Sequence, residues 1–371
     1  MRRLLIPQLT LAVALLHTSA LAQSISALAS FGGGDGWLAP GEGGITYLTT
    51  GDTQRGMAYG NGHLYVVNRN VANSIVRLDG TTGANLGSPL SLSGVSGGTF
   101  AINKIGVAGD GKVYVGNLAT AMSNTAPYKI YSWANDAATP TVAYTGVTLA
   151  NARMGDSTLA VSGTGSSTRL YSGFAASPAI AGNNGYAVID PTAGTHTAVS
   201  FVGTPPAAGD FRLGLTVGPA GQVWGLQGSQ TLRETTFSGS SGTLLGTGSG
   251  LVSIAERPMS FAVINGLPVV ATISTGDSAV RIYDASNPLA LQLMLTKNNT
   301  TGTLTANGNG TGDVAWGDSF YNGDGTSTAT LYTLSSNQGI QAFTVIIPEP
   351  GTFSLAVLGL GAFGLRRKLK K

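Results

Sequence analysis

The chain lacks cysteine and is poor in charge and in histidine. With no cysteine among its 371 residues, disulfide bonds, thiolate metal sites and cysteine nucleophiles are excluded. Charged residues make up 10% of the chain, whereas about 25% is usual for a soluble domain. Only three histidines are present. His63 and His196 lie far apart in strand-like sequence, which favours positions on strand faces over a metal site or a histidine base.

The excess of basic residues belongs to the two ends of the chain. The N-terminus carries Arg2 and Arg3, and the last six residues carry Arg366, Arg367, Lys368, Lys370 and Lys371. The body between them, residues 24–347, has 13 basic and 16 acidic residues, a net charge of −3. The overall charge of +3 therefore does not indicate nucleic-acid binding, and no nucleic-acid partner is expected.

The first 22 residues have the pattern of a signal peptide. The stretch "MRRLLIPQLTLAVALLHTSALAQ" has a basic start, an apolar run and an Ala20-Leu21-Ala22 cleavage pattern. An uncleaved anchor is the alternative, but the apolar run is short for a span of about 20 residues. Export through the Sec translocon with cleavage by signal peptidase is the expectation. Secretion without cysteine is more typical of a bacterium than of a eukaryotic secretory route.

The other end of the chain has the pattern of a short membrane anchor. Gly351 to Leu365 is free of charge and as a helix covers about 22 Å. That is less than the roughly 30 Å of a hydrocarbon core, although flanking basic side chains extend the reach. The five basic residues that follow predict a cytoplasmic C-terminus with the body outside. A buried core helix with a solvated basic tail is the alternative.

Pro348, Glu349 and Pro350 stand directly before this apolar run. The triplet, the run and the basic tail together resemble the PEP-CTERM sorting signal of Gram-negative bacteria. The resemblance implies recognition by the membrane protease exosortase, with Glu349 as a recognition residue and processing near the triplet. It also implies a transient inner-membrane anchor with the body in the periplasm, later release to the cell surface or matrix, and a link to exopolysaccharide and biofilm.

The body contains repeated hairpin-like segments. "RGMAYGNGHLYVVNR" from Arg55 and "KIGVAGDGKVYVGNL" from Lys104 align without a gap. Each consists of two runs rich in Val, Ile, Leu and Tyr around a Gly-x-Gly turn, which is typical of a β-hairpin. Looser versions begin at Arg153, Arg212, Arg257 and Gly312.

A third strand-like segment follows each hairpin, starting near residues 74, 128, 185, 231, 279 and 339, and a weaker fourth often comes next. Four strands per unit of about 50 residues predict an all-β β-propeller, with six four-stranded blades or alternatively seven. The stretch "GGITYLTTG" from Gly43 is expected to supply the missing strand of the last blade and close the ring. A sandwich or a β-solenoid is the rival architecture.

These patterns divide the chain into a signal peptide (1–22), a propeller-like domain (23–347) and a sorting signal with a transmembrane helix (348–371). The segments "GDGKVYVGN", "SAVRIYDAS" and "GIQAFTV" also resemble propeller-like domains of secreted PEP-CTERM proteins whose function is unassigned.

Recognisable catalytic motifs are scarce. Gly94 to Gly98 matches G-x-S-x-G, but a loop rich in Ser and Gly with no helix after it does not make a nucleophile elbow. Asn322 and Asp324 lie in a glycine-rich turn, where a plain hairpin turn is favoured over a calcium loop because the acid at the twelfth position is missing. No phosphate-binding fingerprint is found, and no metal or cofactor is predicted.

One set of basic residues forms a candidate site. Arg55, Lys104, Arg212 and Arg257 each precede the first strand of a unit, and Arg153 does so out of register. First strands line the channel of a propeller, so these residues predict a positive ring at one mouth, suited to the carboxylates of an acidic exopolysaccharide. Pairing with Asp side chains or carbonyls between blades is the structural alternative.

The sequence thus predicts an exported, non-enzymatic surface or extracellular-matrix protein associated with exopolysaccharide. The alternative is a propeller-fold polysaccharide lyase or glycoside hydrolase. Glycoside hydrolysis usually needs two carboxylates facing one site, and Asp156, Asp210 and Asp313 are the candidates near first-strand starts. Two carboxylates in one pocket favour the enzyme, whereas a mouth with basic and hydroxyl groups favours binding.

Overall fold

The computed structural model describes residues 22–70, 72–176, 184–201, 210–226 and 231–350. Apart from Ala22, the predicted signal peptide lies outside these ranges, as do the predicted sorting helix and the basic tail. Within the described ranges, no helix is long and apolar enough to cross a membrane.

Strands dominate these residues. In chain order they are β1 (Ser24–Ala27), β2 (Trp37–Leu38), β3 (Gln54–Gly60), β4 (His63–Asn68), β5 (Ser74–Asp79), β6 (Phe100–Val107), β7 (Val113–Leu118), β8 (Tyr128–Trp133), β9 (Thr141–Gly146), β10 (Ala152–Met154), β11 (Ala160–Ser162), β12 (Arg169–Ala176), β13 (Asn184–Asp190), β14 (Thr195–Phe201), β15 (Gly214–Val217), β16 (Val223–Leu226), β17 (Leu232–Ser238), β18 (Ser241–Gly248), β19 (Met259–Ile264), β20 (Leu267–Ile273), β21 (Val280–Asp284), β22 (Gln292–Lys297), β23 (Gly312–Tyr321), β24 (Thr326–Ser335) and β25 (Gly339–Pro348). Short 3-10 helices span Gly32–Gly34, Glu42–Gly44, Gly165–Ser167 and Pro219–Gly221.

The predicted hairpins form where the turn residues allow it. Asn61 and Gly62, between β3 and β4, have φ values of 55° and 74°. Asn265 and Gly266, between β19 and β20, have φ values of 53° and 77°. Two consecutive left-handed residues make the turn that follows the twist of paired strands, and Asn-Gly tolerates it best. The hairpin prediction at these two turns is confirmed.

The strands form five hydrogen-bonded sheets within the described ranges. Three consist of consecutive strands, namely β3–β5, β6–β9 and β19–β22. A nine-stranded sheet runs from β10 to β18, and a five-stranded sheet joins β23–β25 to β1 and β2. The prediction of six separate four-stranded blades is therefore wrong, because a short parallel pairing of Ser200 with Ser241 and Phe201 with Gly242 joins β14 to β18 and merges two groups of strands.

The arrangement is nevertheless propeller-like. The first strands β3, β6, β11, β15, β19 and β23 touch one another in this order, and β23 returns to β3. Apolar side chains pack between successive groups of strands, such as Trp133 between β3–β5 and β6–β9, and Trp224 between β15–β18 and β19–β22. Both indole rings are fully buried. The core is thus a ring of inter-sheet layers around a central axis, in which each sheet buries its faces against its neighbours.

An N-terminal strand closes the ring, but not the predicted one. β1 pairs with β25 in antiparallel register from Ser24↔Ile346 to Ala27↔Phe343, and β2 pairs with the other end of β25. The stretch from Gly43 contains no strand, so that part of the prediction is wrong. Tyr47 and Leu48 are buried as loop side chains, which explains their apolar character without strand pairing.

Candidate ligand-binding site at one mouth of the channel

Four arginines meet at one end of the ring of first strands. Arg55, Arg153, Arg212 and Arg257 line a cavity of about 480 Å³, together with Asp156, Asn309 and Thr311. Arg55 lies at the start of β3, Arg212 and Arg257 lie two residues before β15 and β19, and Thr311 precedes β23. The cavity therefore sits where the first strands begin. With four guanidinium groups and one carboxylate, its lining carries a net charge of +3.

Asp156 organises two of these arginines. Its Oδ2 accepts from Arg153 Nε at 2.9 Å and from Arg212 at 3.0 Å, and its Oδ1 accepts from Arg153 at 2.8 Å. The Asp156 side chain is only 7% exposed, so the bonds form with little competition from water. The hydrogen bond to Asp156 raises the pKa of Arg153. Pairing with an Asp side chain is the structural alternative that the sequence left open, although the sequence did not single out Asp156 as the partner.

Arg55 and Arg69 form a second pair of cations at the same end. Arg55 bonds to Thr311 Oγ1 at 2.8 Å and to the Asp52 carboxylate at 3.1 Å. Arg69 was not predicted as a site residue; it donates to Asn103 Oδ1 at 2.9 Å. Burial lowers the pKa of Arg55, and burial together with the charge of Arg55 lowers the pKa of Arg69 to about 10. The charge of Arg55 thus adds to the cost of burying Arg69.

Arg257 is the least paired of the four arginines. No salt bridge links it to another described residue, and its buried Nε–H has no hydrogen-bond partner among them. Burial, and then repulsion from Arg212, lower its pKa. A buried donor without an acceptor is costly.

Lys104 does not line this cavity. Its side chain is 1% exposed, and its Nζ lies 2.5 Å from Asp313 Oδ2 and donates to the Gly312 carbonyl at 3.0 Å. Asp313 also accepts from the Met57 N–H at 3.0 Å. Burial lowers the pKa of Lys104, and the neighbouring carboxylate opposes that shift. The structure thus places Lys104 in an ion pair between two first strands, the structural alternative that the sequence left open.

A second cavity of about 430 Å³ lies along the central channel. Residues of all six first strands, or of the segments beside them, line it, and the lining is largely apolar or backbone, with hydroxyl groups such as Thr158 and Ser260. Asp313 is its one acidic lining residue among the described ranges. Neither cavity is therefore lined by a pair of carboxylates from the described residues.

The three acids considered for catalysis each pair with different cations. Asp156 is bound by Arg153 and Arg212, Asp313 by Lys104, and Asp210 by Arg233 at 2.9 Å. These ion pairs hold each carboxylate against its own cation.

The other sequence candidates occupy structural positions. His63 and His196 lie in β4 and β14, as predicted, with His63 Nε2 3.3 Å from Asp136 and His196 Nδ1 3.0 Å from Tyr144 Oη. Asn322 and Asp324 shape the β23–β24 turn, where Asp324 accepts from Thr326. No group of three or more potential metal ligands occurs in the described ranges.

The start of the sorting motif belongs to the last strand. Pro348 is the final residue of β25 and pairs with Thr326. The Glu349 N–H donates to the Gly325 carbonyl at 2.8 Å. Pro348 is buried, whereas Glu349 and Pro350 are exposed. The first residue of the motif is thus part of the folded body, and the next two lie on its surface.

Family comparisons match two parts of the chain. Residues 347–369 match the model of the PEP-CTERM protein-sorting motif. The chain is thus an exported protein with a propeller-like body, anchored transiently in the membrane and marked for recognition by exosortase. More particularly, residues 39–218 match the family described as "Domain of unknown function (DUF4623)".

Solved structures share the fold at low sequence identity. A DUF4623 family protein from Bacteroides eggerthii aligns with a TM-score of 0.59 at 16% identity, over 83% of this chain and 74% of that one. The allergen Mala s 1 of Malassezia sympodialis aligns with a TM-score of 0.51 at 11% identity, over 81% and 94%. A Hadza microbial sialidase aligns with a TM-score of 0.50 at 11% identity, over 78% of this chain and 64% of its own length. A comparison with curated proteins gave no match.

Proposed function

We propose that this exported protein is a non-enzymatic binding module whose arginine mouth holds acidic exopolysaccharide at the cell surface or in the extracellular matrix. The mouth is the set Arg55, Arg153, Arg212 and Arg257. The observation that carries the proposal is the convergence of these four guanidinium groups on one open cavity with a single carboxylate in its lining.

The chemistry of the mouth suits a polyanionic sugar chain. Guanidinium groups bind carboxylates through paired hydrogen bonds and are less strongly hydrated than ammonium groups. Asp156 fixes Arg153 and Arg212 in place, so less side-chain entropy is lost on binding. Arg257 lines the cavity and forms no salt bridge with another described residue. The cavity of about 480 Å³ has the size of a small-ligand pocket and fits a short segment of polymer.

The second candidate is a polysaccharide lyase or glycoside hydrolase on the same fold. The fold alone does not choose between the two, since propellers support both catalysis and binding. The pairing of Asp156, Asp210 and Asp313 with separate cations favours binding, because glycoside hydrolysis usually needs two carboxylates that face one site.

Binding of oligogalacturonate to the full-length chain in mild detergent tests the proposal, with uncharged dextran oligomers as the ligand control. Replacing Arg257→Gln keeps much of the side-chain bulk and removes the charge. Loss of one charge-assisted contact of about 1.5–3 kcal/mol corresponds to an affinity loss of roughly tenfold or more. Rising salt should weaken binding to the intact protein.

The matched control is Arg169→Gln, because Arg169 lies in β12 and pairs with Asp190 at 3.2 Å, away from the lining of the mouth. Its affinity should equal that of the unchanged protein. Equal affinity of the Arg257→Gln and Arg169→Gln variants would reject the mouth as the binding site. Shortening of the oligogalacturonate during incubation would instead support the enzyme.

A further inference from the structure

The anchor leaves the folded body without a linker. β25 ends at Pro348, and the Glu349 N–H is held by the Gly325 carbonyl at the tip of the β23–β24 hairpin. The apolar run starts at Gly351, and two extended residues span at most about 7 Å. The end of the body that carries Pro348 must therefore lie close to the membrane in which the chain is anchored.

Two aromatic side chains are exposed at this end. Phe320 is 62% exposed and Tyr321 is 56% exposed. The Tyr321 hydroxyl accepts a hydrogen bond from the Gly325 N–H at 3.1 Å. The Gly325 carbonyl in turn accepts a hydrogen bond from the Glu349 N–H. Gly325 thus connects the Tyr321 side chain to the sorting motif.

A neighbouring hairpin adds apolar surface beside them. Asn265, in the β19–β20 turn, donates to the carbonyls of Gly325 and Ile347, both at 3.3 Å. Val263, two residues earlier in β19, is 56% exposed. The aromatic tip is defined here as Phe320, Tyr321 and Val263.

The aromatic tip and the arginine mouth lie at opposite ends of the body. β23 begins at Gly312, next to Thr311 of the arginine cavity, and ends at Tyr321. These ten residues, which include a register shift between Trp316 and Ser319, cover at most about 30 Å. The strand β25 is antiparallel to β24, and β24 is antiparallel to β23, so β25 runs in the same direction and ends beside Tyr321.

We propose that the aromatic tip docks into the lipid interface while the chain is anchored, and so holds the arginine mouth facing away from the membrane. Aromatic side chains favour the headgroup region of a bilayer, and a tether of a few residues gives the tip a high effective concentration there. The charged groups beside the tip are the acids Asp318, Asp324 and Glu349, all exposed. Apolar contact rather than attraction to anionic lipids therefore drives the docking. The proposal rests on the sorting motif and holds whether or not the mouth binds a polymer.

The absence of cysteine makes site-specific labelling of the full chain direct. Ser319→Cys places a thiol on an exposed residue beside Phe320. Gly308→Cys places one at the arginine mouth, where an added side chain meets no atom within 4 Å. Each variant is labelled with an environment-sensitive fluorophore and inserted through its own anchor into vesicles of phosphatidylcholine and phosphatidylethanolamine that carry a headgroup-level quencher.

We expect quenching and a blue shift for the label at Ser319→Cys and neither for the label at Gly308→Cys. Adding Phe320→Ser and Tyr321→Ser should remove most of the quenching, while Phe320→Trp should preserve it. Circular dichroism in the same vesicles checks that the serine variant is folded. A tip label as exposed to water as the mouth label, or quenching that survives in the folded serine variant, overturns the proposal.

The same surface would alternatively contact exosortase. In that case the serine variant loses processing in cells although the vesicle experiment shows no lipid contact at the tip. This outcome also overturns the lipid proposal and assigns the surface to the protease.

Discussion

The ion pair between Lys104 and Asp313 provides a quantitative test of how the ring of first strands is held together. Lys104 lies in β6 and Asp313 in β23, two first strands that flank β3 in the ring. The Lys104 side chain is 1% exposed and the Asp313 side chain 21%. We consider Lys104→Met, which keeps most of the apolar part of the side chain and removes its charge.

The expected loss in the free energy of unfolding depends on the Asp313 carboxylate, which the substitution leaves without its cation. Removing one partner of a buried ion pair typically costs about 3–5 kcal/mol, because the other charge is left uncompensated. Asp313 keeps the hydrogen bond from the Met57 N–H and some contact with solvent. We therefore expect a loss near the lower end, about 3 kcal/mol in the free energy of unfolding. In the double variant Lys104→Met with Asp313→Asn, the orphaned charge is gone, and the loss should shrink to about 1 kcal/mol.

The assay is urea unfolding of the full-length chain in detergent, followed by tryptophan fluorescence for the two single variants and the double variant. Additive losses in this double-mutant cycle would contradict the reasoning, because residues that form an ion pair must couple. Oligogalacturonate affinity is the second measurement. Lys104 does not line the arginine cavity, so the affinity should be unchanged in the Lys104→Met variant. A loss of affinity equal to that of the Arg257→Gln variant would show that Lys104 takes part in binding.

Two further predictions concern buried polar groups. Replacing Asp156→Asn leaves Arg153 and Arg212 without a countercharge; since both arginines are about one-quarter to one-third exposed, we expect a stability loss of about 2 kcal/mol by urea unfolding. We also expect weaker oligogalacturonate binding, because the two arginines lose the carboxylate that fixes them in place. Tighter binding in a folded variant would show that the charge of Asp156 opposes the ligand more than the bridge favours it. Tyr144 is buried against His196, and burial raises its pKa from 10.0 to about 12. Because the raised pKa favours the protonated tyrosine in the native state, the contribution of Tyr144 to stability is fully present below pH 10 and is lost as the pH rises towards 12. At pH 11 the free energy of unfolding has fallen by about 1.4 kcal/mol through this group. The loss of stability between pH 9 and pH 11 should be smaller by this amount in Tyr144→Phe, and equal losses would refute the assignment.

Local patterns in the sequence predicted much of the fold. The hairpins beginning at Arg55 and Arg257 form with Asn-Gly turns whose left-handed conformations are confirmed, because turn chemistry and strand alternation are properties of neighbouring residues. The sorting motif was also predictable, since its order of Pro-Glu-Pro, apolar run and basic tail is contiguous, and the family match confirms it.

The two features of the fold that the sequence did not predict correctly both depend on pairing between distant segments. The ring-closing strand is Ser24–Ala27 rather than the stretch from Gly43, because the choice depends on which segment reaches the open edge of β25. The merging of two strand groups through Ser200 and Ser241 is likewise a contact between segments remote in sequence. Neither event leaves a local signature.

The candidate site shows the same division. The sequence by itself determined that basic residues stand before first strands, that the body carries no thiol chemistry, and how the chain is sorted. Only the tertiary structure decided that Arg55, Arg153, Arg212 and Arg257 share one cavity while Lys104 turns to Asp313. The physical reason is that a side chain's partner depends on which strands the closed ring brings beside it, and that is a property of the whole ring.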